Sequence, residues 1–228
     1  AGTLFTVTSV PVSFKHFNVA GGTTVIAYSS ANGWIIDQLY LASQTGTAIT
    51  IADSNVYALR SSAFVNYTTA GVSISGSGGA DSGDATIEAC TFNGLQNSAA
   101  LIWRGGGGLR FQNNKTLVQT SSTGAALDFA TSAGMATGDL LVIGNSIEGD
   151  YAYGIIVQAS GGGTAVNYLI ANNQFTCCTA DIIAFNAAGA GWVNISGTII
   201  NGGTAPTLVA LLVASDVFVG NNVFGGNG

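Results

Sequence analysis

The chain has 228 residues with 33 Gly, 2 Pro, only 7% charged residues and a net charge of −6. So apolar and charge-poor a composition excludes a disordered chain, and five Lys and Arg in all exclude a nucleic-acid partner, which needs clustered cations. Mean hydropathy is +0.44, yet the longest apolar candidate, Thr207 to Ala214, falls far short of the ~20 residues of a spanning helix, so no membrane insertion is expected.

Along the chain one pattern recurs: apolar, any, apolar, two variable positions, often Asn, any, apolar. It is clearest at 85–92, 140–147, 168–175, 193–200 and 217–224. Taking the last apolar residue as an anchor, the anchors are Phe17, Leu41, Phe64, Phe92, Thr116, Ile147, Phe175, Ile200 and Phe224, at intervals of 23 to 31 residues. A repeat of this period signals a solenoid.

Seven and five residues before each anchor stands an apolar pair, from Val10/Val12 and Trp34/Ile36 to Val217/Val219. Spacing by two predicts a strand with one face buried. A second pair follows most anchors by eight and ten residues: Val25/Ala27, Ile49/Ile51, Val72/Ile74, Ala100/Ile102, Ile155/Val157, Ile183/Phe185 and Leu208/Ala210, with Leu127/Phe129 displaced by three. Each repeat thus carries at least two strands and no helical stretch. The leucine-rich repeat shares this period, but here the second half is β-alternating and Gly-rich. The expected fold is all-β: a single-stranded, right-handed parallel β-helix of about nine coils, a column roughly 40 Å tall at the usual strand spacing.

Because coils stack, residues at equal offsets become neighbours. Two before the anchor lie Asn114, Asn145, Asn173 and Asn222, and three before it Asn113, Gly144, Asn172, Gly197 and Asn221. Asn and Gly tolerate left-handed backbone, so this is read as a corner with an amide ladder rather than a sugar site. Four before the anchor the column is Ser13, Asp37, Arg60, Glu88, Gln112. Asp37 and Glu88, two rungs or about 9–10 Å apart, are the candidate catalytic pair, near the upper limit for an inverting glycosidase. The competing reading, favoured here, is a structural charge ladder around Arg60.

Outward positions of the second strand read as apolar: Ile26, Leu101, Trp103, Ile156, Val209 and Leu211. Such patches mark a partner surface and suit association of identical columns. Long loops at 76–84, 131–139 and 160–167 leave from one corner and would wall a groove. Asp81, Asp84 and Asp139 are its acids, and Arg104 stands beside the Gly run at 105–108. Tyr151 and Tyr153, near Glu148 and Asp150, are further candidates for stacking on sugar rings, with packing at a coil boundary the alternative.

The cysteines outline neither a disulfide framework nor a metal site: Cys90 stands alone, and adjacent Cys177 and Cys178 have a spacing that rarely forms an unstrained bridge. No cofactor is expected, and no dependence on an oxidising compartment. The start at Ala1, without initiator Met or signal peptide, reads as a piece of a longer chain.

On these repeats the chain resembles the right-handed β-helix superfamily of pectate lyases, polygalacturonases and bacteriophage tailspikes, over nearly its whole length. It is most similar to the β-helix body of a phage tailspike or tail fibre. That resemblance implies a homotrimer on the virion tail that faces bacterial surface polysaccharide. A polysaccharide depolymerase (hydrolase or lyase) on the same fold, and a secreted or cell-surface adhesin, stay open. The polygalacturonase pattern of paired Asp motifs, Gly-His-Gly and Arg-x-Lys is absent, since the one His is His16. No acidic cluster suits a calcium-dependent lyase.

Overall fold

The computed structural model describes residues 2–77, 83–119, 122–130, 137–158, 167–186, 190–202, 207–211 and 214–226. Among them every regular element is a strand, and the strands form three parallel sheets. One coil runs through Ala70–Ser75 in sheet A, Ala85–Glu88 in sheet B and Thr91–Gly94 in sheet C. The next coil repeats the path, so each strand pairs with its equivalent one coil on. The result is a right-handed parallel β-solenoid. Parallel pairing satisfies the backbone of such short strands only because each is flanked on both sides.

Each sheet is nine strands deep, but about seven turns are closed, rather than nine. The anchors count rungs, and a terminal rung has a neighbour on one side only. The terminal rungs therefore hold most of the exposed large apolar residues: Leu4, Phe5, Val10 and Val12 at one end, and Val217, Phe218, Val219, Val223 and Phe224 at the other.

Between the ends the interior is largely apolar and columnar. Tyr28, Trp34 and Tyr57 stack with centroids 3.8 and 4.5 Å apart, and Phe64 stacks on Phe92 at 4.8 Å. Each such ring contributes roughly 1.5–3 kcal/mol by burial alone. The predicted first-strand pairs from Trp34/Ile36 to Val193/Ile195 are all buried. The anchors from Leu41 to Phe224 share one register in sheet C. They belong to a third strand that the period-two reading did not isolate.

Three expectations are corrected. In the first coil the register partner of Leu41 is Val19, not Phe17, and Phe14 rather than Val12 lies opposite Ile36. The charge column therefore begins with Lys15, not Ser13. Second, the apolar outer face of sheet A does not exist as read: Ile26, Leu101 and Trp103 are fully buried, and Val209 packs on the core. The cause is a bend where each strand enters sheet A. Two consecutive residues point inward there, Val25 with Ile26 and Ala100 with Leu101, and the alternation beyond shifts by one. Only Ile156 keeps an outward register, between Asp128 and Ala184; the Leu211 side chain lies outside the described residues. Third, Cys177 and Cys178 are disulfide-bonded despite their adjacency.

The corner between sheets B and C follows the sequence closely. Asn113, Gly144, Asn172, Gly197 and Asn221 all have φ between 54° and 68°. Behind them Asn114, Asn145 and Asn173 are 2% exposed and form a ladder. The Asn145 Oδ1 accepts from the Asn114 backbone N–H at 2.9 Å, and the Asn145 amide donates to the Phe111 carbonyl at 3.0 Å and to Asn173 Oδ1 at 2.9 Å. Such buried amides serve the backbone and not a ligand.

Candidate functional site

The corner between sheets A and B is built differently. All three long loops of the sequence leave there, after Ala70–Ser75, Ala125–Phe129 and Tyr153–Val157. Its floor is glycine. A side chain on Gly83 would strike the backbone of Gly106 and Gly107, and one on Gly138 the backbone of Gly107 and Gly108. The Gly run at 105–108 therefore lets three irregular coils stack in contact. Asn55 secures the entry, its Oδ1 accepting from the Gly83 N–H at 2.7 Å.

This stacking sets two carboxylates on the outer rim of sheet B. Asp84 precedes the strand Ala85–Glu88 with φ 48°, a value Asp tolerates. Asp139 sits in a bulge of Thr137–Ile143: Thr137 lies opposite Gly107 and Leu140 opposite Leu109, so Gly138 and Asp139 together face Gly108. Bulges of this kind re-aim a side chain beside a site. Gly108 separates the two acids by one rung on either side, so their strands lie about 9–10 Å apart. The Asp84 Oδ1 leans over Gly108, 3.5 Å from where a β-carbon would stand.

Around them lies a depression of about 510 Å³ bounded by Asp84, Thr86, Gly108, Arg110, Asp139 and Leu141. A second, of about 380 Å³, is lined by Val56, Tyr57, Ala58 and Arg60 and shares Asp84 and Thr86. The two make one open groove along the stacked rungs. Past Asp139 the rim continues through Asn167, which donates to Asp139 Oδ1 at 3.0 Å and accepts from the Trp192 N–H at 3.1 Å. Trp192 is 40% exposed, a flat surface on the same rim. Arg110 is exposed and forms no ion pair among the described residues. Carboxylate acceptors, guanidinium donors and an aromatic face suit polyhydroxylated ligands. Among the described residues no group of three or more His, Cys, Asp or Glu is placed to hold a metal ion.

The other candidates fall elsewhere. Asp37, Arg60 and Glu88 share one column, as the offsets predict. Arg60 Nε meets Glu88 Oε1 at 2.8 Å, and Gln112 donates to Glu88 Oε2 at 2.7 Å. Both Glu88 oxygens are thus engaged, the pattern of a ladder rather than of a free acid. Arg104 lies on sheet A, where its guanidinium bridges to Asp128 at 2.6 Å and Gln158 adds a bond to the other oxygen at 2.7 Å. Tyr151 is fully buried, and burial pushes its hydroxyl above the ordinary phenol range, so it packs inside and does not offer a ring to a sugar. Tyr153 opens the strand Tyr153–Val157, half-buried and opposite Ala125. Asp81 lies outside the described residues. Glu148 pairs with Lys115 at 3.1 Å.

Thr86, Arg110 and Trp192 were missed. The signal was available: eight before the anchors stand Val56, Asp84, Gly108, Asp139, Asn167 and Trp192, and six before them Thr86 and Arg110. Both columns stack in register, although the one six before the anchors is mixed.

Neither a family model nor a curated protein matches the chain. Among solved structures it is similar to the GH136 lacto-N-biosidase from Eubacterium ramulus, a selenomethionine derivative. The identity is 8% and the TM-score 0.33, over 90% of this chain and 51% of that one. The chain thus spans about half the length of that structure. At that distance the likeness carries no argument about chemistry.

Proposed function

We propose that the outer face of sheet B is a polysaccharide-binding groove, and that the chain is the β-helix module of a phage tailspike or tail fibre recognising bacterial surface glycan. The observation that carries the reading is the pair Asp84 and Asp139 across side-chain-free Gly108, with Arg110 beside them in an open groove. A groove that runs along the rungs accepts an extended polymer from end to end, where a closed pocket takes a small molecule. Homotrimeric assembly and a place on the virion tail belong to this proposal through the family resemblance alone. Of the apolar positions that first suggested a trimer, Ile26, Leu101 and Trp103 are buried.

The experiment is a screen of the protein against immobilised capsular and lipopolysaccharide glycans, followed by variants. Asp84→Asn and Asp139→Asn lower affinity about tenfold or more, the loss of a charge-assisted hydrogen bond, while Glu88→Gln leaves it unchanged. Equal binding by all three variants removes the groove from consideration. Light scattering gives three times the chain mass if the trimer forms.

A second reading has its own observation: carboxylates two rungs apart match the wider spacing of an inverting glycosidase pair. In that case Asp84 and Asp139 act as acid and base, and oligosaccharides appear in solution on incubation with the bound glycan. Binding without release leaves recognition as the function.

A further inference from the structure

The three cysteines divide into one isolated thiol and one bonded pair. Cys90 is buried and free, and burial pushes its thiol up to about 12. It stays protonated at neutral pH and takes no part in disulfide exchange. Cys177 and Cys178 are bonded to each other and each is 3% exposed. They form the corner where Gln174–Cys177 of sheet C gives way to Asp181–Phe185 of sheet A.

Two features tie this corner to the coil beneath it. Cys177 lies in register with Gly149, which has φ 97°. Just beyond the pair, the Thr179 N–H donates to the Tyr151 carbonyl at 2.9 Å and the Ala180 N–H to the Ala152 carbonyl at 3.0 Å. Between them stands Cys178 with φ 95°. A residue with a β-carbon pays a penalty there and holds such a backbone only where its surroundings impose it. A bridge between neighbours closes too short a loop to act through chain entropy. Its effect falls on the local backbone.

We propose that the Cys177–Cys178 pair is a redox lock on this corner. In the oxidised state the ring holds Cys178 at positive φ, which aims the Thr179 and Ala180 N–H groups at their acceptors. A small dithiol reduces it: two electrons and two protons pass to the protein sulfurs, giving two thiols, and the dithiol leaves as its own cyclic disulfide. Cys178 then relaxes to negative φ, and the two inter-coil hydrogen bonds loosen. In an oxidising compartment the corner is closed, and in a reducing one it is open.

The first test counts free thiols in protein purified in air and denatured without reductant. One thiol, Cys90, is the expected result; three overturn the proposal. The second measures amide hydrogen exchange before and after treatment with dithiothreitol. Thr179 and Ala180 exchange about tenfold faster or more in the reduced protein, while Ile147 and Ile170 keep their rates. Unchanged exchange at the corner overturns the lock. A Cys178→Gly variant separates the two causes, since glycine accepts positive φ without a bridge. It keeps slow exchange and ignores the reductant; exchange as fast as in the reduced protein shows that φ is not what the bridge controls.

Discussion

The corner between sheets B and C and the corner between sheets A and B solve the same problem, turning the chain between two stacked sheets, with opposite use of polar groups. At the first, the buried side chains of Asn114, Asn145 and Asn173 spend their amides on neighbouring backbone, and the oxygens of Asn145 and Asn173 accept from it. That buried ladder is committed to the fold. At the second, glycines remove side chains from the turn, and the polar groups stand on the rim with unshared capacity. The difference teaches where to look in a β-solenoid: regularity of a polar column argues for structure, and its interruption by glycine and a bulge argues for a site.

The largest expected effect breaks the regular corner. Asn145→Ala removes four hydrogen bonds made by one buried amide group and leaves the Phe111 carbonyl and the Asn114 N–H without their partner. Two buried orphan groups and the lost ladder cost about 3 kcal/mol or more. Urea unfolding measures this as a lower midpoint at constant slope. A loss below about 1 kcal/mol means that water replaces the amide, and the contrast between the corners fails.

Next in size is the irregular corner. Gly138→Ala drives a methyl group into the Gly107 backbone, and relief requires the two coils to part. Overpacking of this kind costs about 1–3 kcal/mol, somewhat less than the ladder. The change also displaces Asp139, so under the proposed function glycan affinity falls together with stability. A variant that loses stability yet binds as before places the ligand away from the bulge.

How far these corners were legible in advance follows from their physics. The Asn column was readable because each amide repeats a backbone task once per coil, and a repeated task leaves a repeated letter. Sheet C was harder: its strands, such as Ala63–Val65, are short and turn a single residue, Phe64, fully inward, too little for a period of two to show. Sheet A misled through its entry bend, which places Ala100 and Leu101 inward in succession and inverts the apparent facing of Trp103. Asp84 and Asp139 were singled out as loop acids. Their convergence on Gly108 depends on the bulge of Thr137–Ile143, a backbone event with no side-chain period. Arg110 was passed over because its column carries Thr86 and Leu141 on either side, and a mixed column attracts no notice.

The smallest effect belongs to the outer side of the regular corner, immediately after Asn145. Glu148 accepts from the Ser146 hydroxyl at 2.7 Å and pairs with Lys115. The serine hydrogen bond first, and the Lys115 ammonium after it, hold its carboxyl below the ordinary glutamate range. A carboxylate whose pKa is depressed by folding stabilises the protein above its unfolded pKa, and that contribution disappears as pH falls through the folded value. Glu148→Gln therefore lowers stability slightly near neutral pH, and the difference between the two proteins closes as pH falls from neutral through the depressed value and the carboxylate takes up its proton. The group is a third exposed, so solvent and salt screen the pair, and the difference shrinks further in concentrated salt. Thermal unfolding of both proteins across that pH range reads the convergence directly. Curves that stay parallel from neutral to acid pH assign the serine–glutamate–lysine contact no ionic role, and the outer side of this corner then contributes through packing alone.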